Sequence, residues 1–172
     1  EPHRECGRQG QVSNGFLSKI QPNNKTTYNE IVIGEKLSRY TDRFAPIINA
    51  CPLTTGKIQQ DILKKCDKLD KTKEAMITSK IRYVGKETLD TFLQNIISMK
   101  SKDKSTKYLK QIINKHLFLL ESLDVLNQEK VLHLDLKSNN IMIDDTTKKP
   151  IIIDFGISYD GNKLQIEEYK KT

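Results

Sequence analysis

The apolar positions of this chain fall into short runs near its start, helical stripes through its middle, and two brief aliphatic strands near its end. Asn14-Gly15 sits between apolar-bearing runs at 11–13 and 16–20. Both residues tolerate positive φ, so the pattern predicts a tight antiparallel hairpin. Residues 26–40 place Ile31, Ile33 and Leu37 on one helical face, with Thr26 or Thr27 as cap and Gly34 as a weak point. Strands are expected at 44–50 and 75–84, with a Lys-rich helix around 56–69 between them. Helices are expected at 88–99 and 105–126, the second apolar enough to serve as a central core helix. Runs at 141–143 and 151–153 read as aliphatic strands joined by the turn-rich segment 144–150. Strands with one helix come first and helices dominate later, which predicts an α+β fold in two lobes.

Composition bounds the picture without changing it. The 172 residues are 36% hydrophobic and 30% charged, the balance of a globular protein with a well-solvated surface. No window approaches the roughly 18 apolar residues of a membrane span, no signal peptide is apparent, and no membrane partner is expected. Cys6, Cys51 and Cys66 match no zinc spacing and are expected as free thiols of a reducing compartment, which places the chain inside the cell, in the cytoplasm. The net charge of +7 would favour polyanions. Its lysines are scattered, however, and around 64–73 they alternate with Asp67 and Asp70, so nucleic acid is not expected as a partner.

The chemistry concentrates in 131–156. His133, Asp135, Asn140 and Asp154 lie on loops flanking the two aliphatic strands. Asn140 precedes the first strand and Asp154 follows the second, so a hairpin brings them to one end. An amide oxygen and a carboxylate there form the hard, oxygen-only site that Mg²⁺ accepts beside a phosphate. Asp135 can face the same cavity as a base, and Lys137 adds a point charge for a phosphate oxygen. These parts suit phosphoryl transfer, which depends on positioning and charge neutralisation.

The string His133-Leu134-Asp135-Leu136-Lys137-Ser138-Asn139-Asn140, followed by Asp154-Phe155-Gly156, resembles the catalytic loop and Asp-Phe-Gly motif of eukaryotic-type protein serine/threonine kinases. The resemblance implies a bilobal kinase-like fold: a small β-rich lobe with its helix C and hinge over 1–85, and a partial helical lobe over 86–172. It implies ATP and Mg²⁺ as cofactors, a protein as substrate, Asp135 and Lys137 as catalytic residues, and Asn140 and Asp154 as metal ligands. Upstream, Gly7 and Gly10 are similar to the later part of the Gly-rich phosphate loop. Val12, Leu17 and Met142 would enclose the adenine, and backbone groups of Tyr83 and Val84 would bind its edge, with Ile81 at the back of the pocket. Lys19 looks like the lysine that holds the α- and β-phosphates. Glu30 and Glu35 compete for the helix glutamate that steadies it, with Glu30 preferred. In this family the histidine is a structural pivot near the Phe of Asp-Phe-Gly.

The chain also departs from the pattern. Leu134 replaces the arginine that reads a phosphorylated activation loop, so control by that phosphorylation is not expected. The Gly-rich loop lacks a clear first glycine. Gly34 stands where the family puts an apolar side chain, which predicts a less firmly anchored helix. Nothing resembling Ala-Pro-Glu follows Gly156, so a missing segment or a partner chain is expected to complete the larger lobe. The Lys-, Asn- and Ile-rich style resembles divergent kinases of large DNA viruses, for which host cytoplasm or virion would be the location. Two other readings stand beside the kinase: a pseudokinase acting as a binding module, and a small-molecule phosphotransferase of kinase-like fold.

Overall fold

A computed structural model describes residues 12–13, 15–53, 75–99 and 102–162. The calls on Gly7, Gly10 and the helix around 56–69 lie outside these residues. Strands β1 (Val12–Ser13) and β2 (Phe16–Pro22) form the expected hairpin, pairing Val12 with Leu17 and Ser13 with Phe16. Gly15 takes φ +77°, which glycine adopts without steric cost. β2 runs antiparallel to β4 (Met76–Arg82) along its whole length, and β3 (Ile47–Leu53) flanks β4 on the other side, giving the order β1-β2-β4-β3.

Helix α1 (Lys25–Leu37) follows β2 directly. Its cap is Asn24 and not Thr26 or Thr27: Asn24 holds the extended backbone a cap needs, and its Oδ1 accepts from the Thr27 N–H at 3.0 Å. Thr27, one turn in, donates its hydroxyl to the Pro22 carbonyl at 2.7 Å. The buried face carries Thr27, Glu30, Ile33, Gly34 and Leu37. Gly34 reverses the sequence expectation of a loosely anchored helix. A Cβ there would lie 2.6 Å from the Ile47 carbonyl oxygen, so the missing side chain lets α1 rest its backbone directly on β3.

The segment before β3 does not join the sheet as expected. Residues 43–45 turn away to the other lobe, where Ala45 N–H donates to the Ile152 carbonyl and Ile152 N–H donates to the Arg43 carbonyl, both at 3.0 Å. Phe44, completely buried, thereby enters the core of the helical lobe. That lobe contains α2 (Leu89–Ile97), capped by Thr88, and α3 (Lys102–Gln128). It also holds two small sheets: β5 (Val131–Leu132) with β8 (Tyr159–Asp160), and β6 (Ile141–Ile143) with β7 (Pro150–Ile152). The strand expected at 151–153 is shifted by one residue, because the Ile153 N–H donates to the Asn140 carbonyl beyond the hairpin.

One hydrophobic cluster joins the lobes. Ile33 and Leu37 of α1 pack with Phe44, with Phe92 of α2, with Leu119 and Leu126 of α3, and with Ile141, Ile152 and Phe155. α3 is not buried all round, as a central core helix would be: among the described residues its Leu109, Ile113, Leu117 and Leu120 are exposed. On its inner side Lys115 is buried, donating to the Lys148 carbonyl at 2.5 Å above the Phe92 ring, and burial lowers its pKa. Among the described residues no helix is long and apolar enough to cross a membrane.

The Gly34 contact has a measurable consequence. Alanine would gain about 1 kcal/mol in helix propensity. Overpacking a tight contact costs about 1–3 kcal/mol or more, and here the obstacle is backbone. Gly34→Ala is therefore expected to lower the thermal midpoint; an unchanged or raised midpoint would show that α1 can lift off β3 freely.

Candidate active site

Lys19 lies at the centre of β2, opposite Ser79 of β4. Its ammonium donates to both carboxylate oxygens of Glu30, at 3.4 and 3.3 Å. Glu30 is almost completely buried on the inner face of α1. Glu35, five residues on, stands about 140° further around the helix by the α-helical repeat and is exposed. Two residues after Lys19, and so on the same face of the strand, Gln21 donates its amide to Glu30 Oε2 at 3.2 Å. A buried carboxylate needs such partners to offset lost hydration. Gln21 was not anticipated from the sequence, although its period-two spacing from Lys19 is a signal that could have found it.

Leu17 shares the Lys19 face of β2 and pairs across the sheet with Ile81. Val12 is placed by its backbone pairing with Leu17. Met142, at the centre of β6, packs with Ile81 and Ile153 against the buried cluster of Ala45, Val84 and Ile151. The connector between the lobes starts at Tyr83. Its N–H donates to the Gly15 carbonyl at 2.9 Å, and the Val84 carbonyl accepts from the Asp145 N–H at 3.0 Å. The expectation for the Tyr83 and Val84 backbones is thereby narrowed, since one group of each is already engaged within the fold. Gly85 is fixed just as closely, because a Cβ there would meet the Ile143 carbonyl and Asp145 Oδ1 at 2.7 Å.

The connector is further tied to the β6–β7 turn by an ion pair absent from the sequence reading. Arg82 Nη1 lies 2.8 Å from Asp144 Oδ2, and Asp144 Oδ1 accepts from the Thr146 and Thr147 N–H groups. Burial alone would raise the Asp144 pKa. Hydrogen bonds from Thr147, Arg82 and Thr146 outweigh it and hold the carboxyl below its ordinary value.

The loop from 133 to 140 is held by a small number of directed bonds. His133 Nε2 lies 3.0 Å from the Ile153 carbonyl oxygen, and its Nδ1 lies 3.3 Å from the Asp135 amide nitrogen. The carbonyl can only accept and the amide can only donate, so the ring serves both when its proton is on Nε2. The imidazole packs at 5.0 Å from the Phe155 ring, the pivot arrangement expected from the sequence. Between them Leu134 takes φ +62°, an outlying conformation for a bulky residue, while its side chain is exposed. Asp154 takes φ +64°. Such backbone persists only where neighbours over-determine it, and the bonds of His133 and Asp135 supply that constraint.

Asp135, Lys137 and Asn140 form one closed cluster. Lys137 Nζ donates to both Asp135 carboxylate oxygens, at 3.1 and 2.8 Å. Asn140 Nδ2 donates to the Asp135 carbonyl and to its Oδ2, each at 2.9 Å. The hydrogen bond from Lys137 holds the Asp135 carboxyl below the usual carboxylate range, against partial desolvation, and Asn140 adds to the effect. Because the Asn140 nitrogen is engaged, its oxygen points away from Asp135. The Ile153 N–H bond to the Asn140 carbonyl brings the chain leading into Asp154 beside Asn140. Asp154 itself is exposed, and no group of the described residues hydrogen-bonds its carboxylate.

An amide oxygen and a free carboxylate at one end of a hairpin fit a Mg²⁺ ion that keeps several waters and takes its other ligands from phosphate. Among the described residues no group of three or more His, Cys, Asp or Glu could hold a metal by itself. One lobe thus carries a carboxylate-braced lysine, and the other carries an oxygen-donor pair and a lysine-paired aspartate.

Comparison with curated proteins gives no match. A family model described as the protein kinase domain matches residues 54–172, a span that contains the connector, the 133–140 loop and Asp154-Phe155-Gly156. With the α+β two-lobed architecture and that match over more than half of its length, this chain belongs to the protein kinase domain family.

Proposed function

We propose that the chain is an ATP- and Mg²⁺-dependent protein serine/threonine kinase, with Asp135 and Lys137 as catalytic residues and Asn140 and Asp154 as metal ligands. The single observation that carries this reading is the closed Asp135–Lys137–Asn140 cluster beside the entry to Asp154. Phosphoryl transfer uses an aspartate so placed, beside a lysine and an oxygen-donor pair, to orient and deprotonate the acceptor hydroxyl.

In this reading Lys19, braced by Glu30, neutralises the α- and β-phosphates. Leu17 and Met142 enclose the adenine from the two lobes. The Val84 N–H and the Tyr83 carbonyl are the connector groups left to meet its edge. Mg²⁺ held by Asn140 and Asp154 would neutralise charge on the β- and γ-phosphate oxygens and fix their geometry. Asp135 orients the acceptor hydroxyl and takes its proton as the new O–P bond forms and the γ-phosphorus to bridging-oxygen bond breaks, releasing ADP. Lys137 then stabilises the charge on the transferring group. Its place two residues after the base resembles the serine/threonine branch of the family, which supports aliphatic hydroxyls as acceptors.

Three measurements test this reading. Mg²⁺ and ATP at about 100 times Kd should stabilise the parent by about 2.7 kcal/mol, a rise of about 5–10 °C in midpoint for a chain of this size. Asp154→Ala should abolish the Mg²⁺-dependent part, and a parent with no shift would exclude the nucleotide site. Asp135→Asn should retain nucleotide binding but lower transfer to a generic protein substrate by about 10²–10⁴-fold; transfer at the parental rate would reject Asp135 as the base.

The pH dependence follows from Lys137. Asp135 works ionised, and Lys137 holds its carboxyl below the ordinary Asp range, so the carboxyl itself should stay ionised through the whole working pH range. Lys137→Met should move the Asp135 carboxyl titration, followed by carbon NMR, upward. A titration that does not move would mean that the 2.8 Å contact is not maintained in solution.

A further inference from the structure

The inner face of α1 is occupied by the Lys19–Glu30 pair, yet an adjacent stripe of the same helix makes a second set of polar contacts that the proposed chemistry does not use. Asn29 and Lys36 are seven residues apart, two helical turns, and so lie one above the other. Both reach the segment that follows Asp154-Phe155-Gly156. Lys36 Nζ lies 2.6 Å from Asp160 Oδ1 and also donates to the Glu129 carbonyl at 3.2 Å. Asn29 Nδ2 donates to the Ser158 carbonyl at 2.5 Å.

These partners are rigidly held. Asp160 and Ser158 are buried. Asp160 pairs with Val131 in the β5–β8 sheet, and the next residue, Gly161, donates its N–H to the Lys130 carbonyl at 2.6 Å. Ser158 Oγ donates to the His133 carbonyl at 3.1 Å, which links this strip to the 133–140 loop. Beyond the helix end, the Tyr40 hydroxyl donates to Glu129 Oε1 at 2.8 Å, and Arg39 pairs with the same carboxylate.

Asp160 is a buried carboxylate, and its other hydrogen bond among the described residues comes from the Asn162 N–H at 3.2 Å. Lys36 is therefore its counter-charge, and the pair favours one position of α1 because it is lost if the helix slides or rotates. Glu30 is carried on the same rigid helix, one residue beyond Asn29. A displacement that breaks the Lys36–Asp160 contact also withdraws the Glu30 carboxylate from Lys19.

We propose that Lys36 is a positioning residue for phosphoryl transfer: its ion pair with Asp160, seconded by Asn29 on Ser158, sets the register of α1 and so keeps Glu30 on Lys19. Fixed charges of the chain itself thereby hold the nucleotide lysine in its working position. This rests on the kinase reading for its catalytic consequence, but not for its structural content.

The test compares the parent with Lys36→Met, Lys36→Arg, Asp160→Asn and the double variant Lys36→Met/Asp160→Asn. Hydrogen exchange of the α1 amides is measured alongside ATP KM and kcat per folded molecule. Lys36→Met and Asp160→Asn should each speed exchange in α1 and lower kcat/KM for ATP by about tenfold, the scale of a lost positioning contact. Lys36→Arg should stay close to the parent, and the double variant should be no worse than either single one. Unchanged α1 exchange and kinetics in Lys36→Met, or singles whose effects simply multiply in the double, would overturn the proposal. If Lys36→Met does not fold, Asp160→Asn and Lys36→Arg carry the same comparison. If the parent transfers no phosphate, the kinase reading fails, while α1 exchange still decides whether Lys36 sets the helix.

Discussion

The buried carboxylate of Glu30 is the constraint on which this structure turns. A charge at that depth is unfavourable unless it is paired and hydrogen-bonded, and Lys19 and Gln21 on one face of β2 meet that need. Their geometry fixes how far α1 stands from the sheet. Gly34 makes the approach possible, since any side chain there would strike the Ile47 backbone. The same helix contributes Ile33 and Leu37 to the core of the other lobe. One short helix thus couples the strand that carries Lys19 to the elements that carry the aspartates.

The lower half of the site is governed by hydrogen-bond direction more than by apolar packing. His133 accepts on one nitrogen and donates on the other, which fixes its ring and, through it, the backbone on either side of Leu134. Asn140 uses its nitrogen twice on Asp135, and its carbonyl receives the Ile153 N–H. The left-handed conformations at Leu134 and Asp154 are the cost of this arrangement. They present Asp135 and Asp154 on a loop whose neighbours Phe155 and Ile152 are locked in the core.

The lobes meet through two polar seams as well as the shared core. Residues 43–45 hydrogen-bond to β7, and the connector is stitched to the β6–β7 turn through Val84, Gly85 and the Arg82–Asp144 pair. Two nitrogens of Arg82, Nε and Nη2, are buried without a hydrogen-bond partner among the described residues. That is a local cost of placing a guanidinium at the seam, and the close Asp144 contact offsets part of it.

Much of this could be read from residue order. The Asn14-Gly15 turn, the alternation along β2, the apolar stripe of α1 and the aliphatic strands around 144–150 are local signals, set by backbone preferences and periodicity. The 133–156 motifs name their chemistry through residue type and spacing. Other features depend on contacts between residues far apart in the chain, which no local pattern encodes. The sequence favours Glu30 over Glu35, but the contact of Glu30 with Lys19 depends on the angle at which α1 meets β2. The departure of residues 43–45 from the sheet required β7 as a competing partner. Gly34 read as a weakness in the helix, and only the proximity of Ile47 made it a close contact. Gln21, Arg82, Lys36 and Asp160 are unremarkable polar residues in sequence. They acquire roles because burial leaves each charged or hydrogen-bonding group dependent on whichever partner the fold brings within about 3 Å.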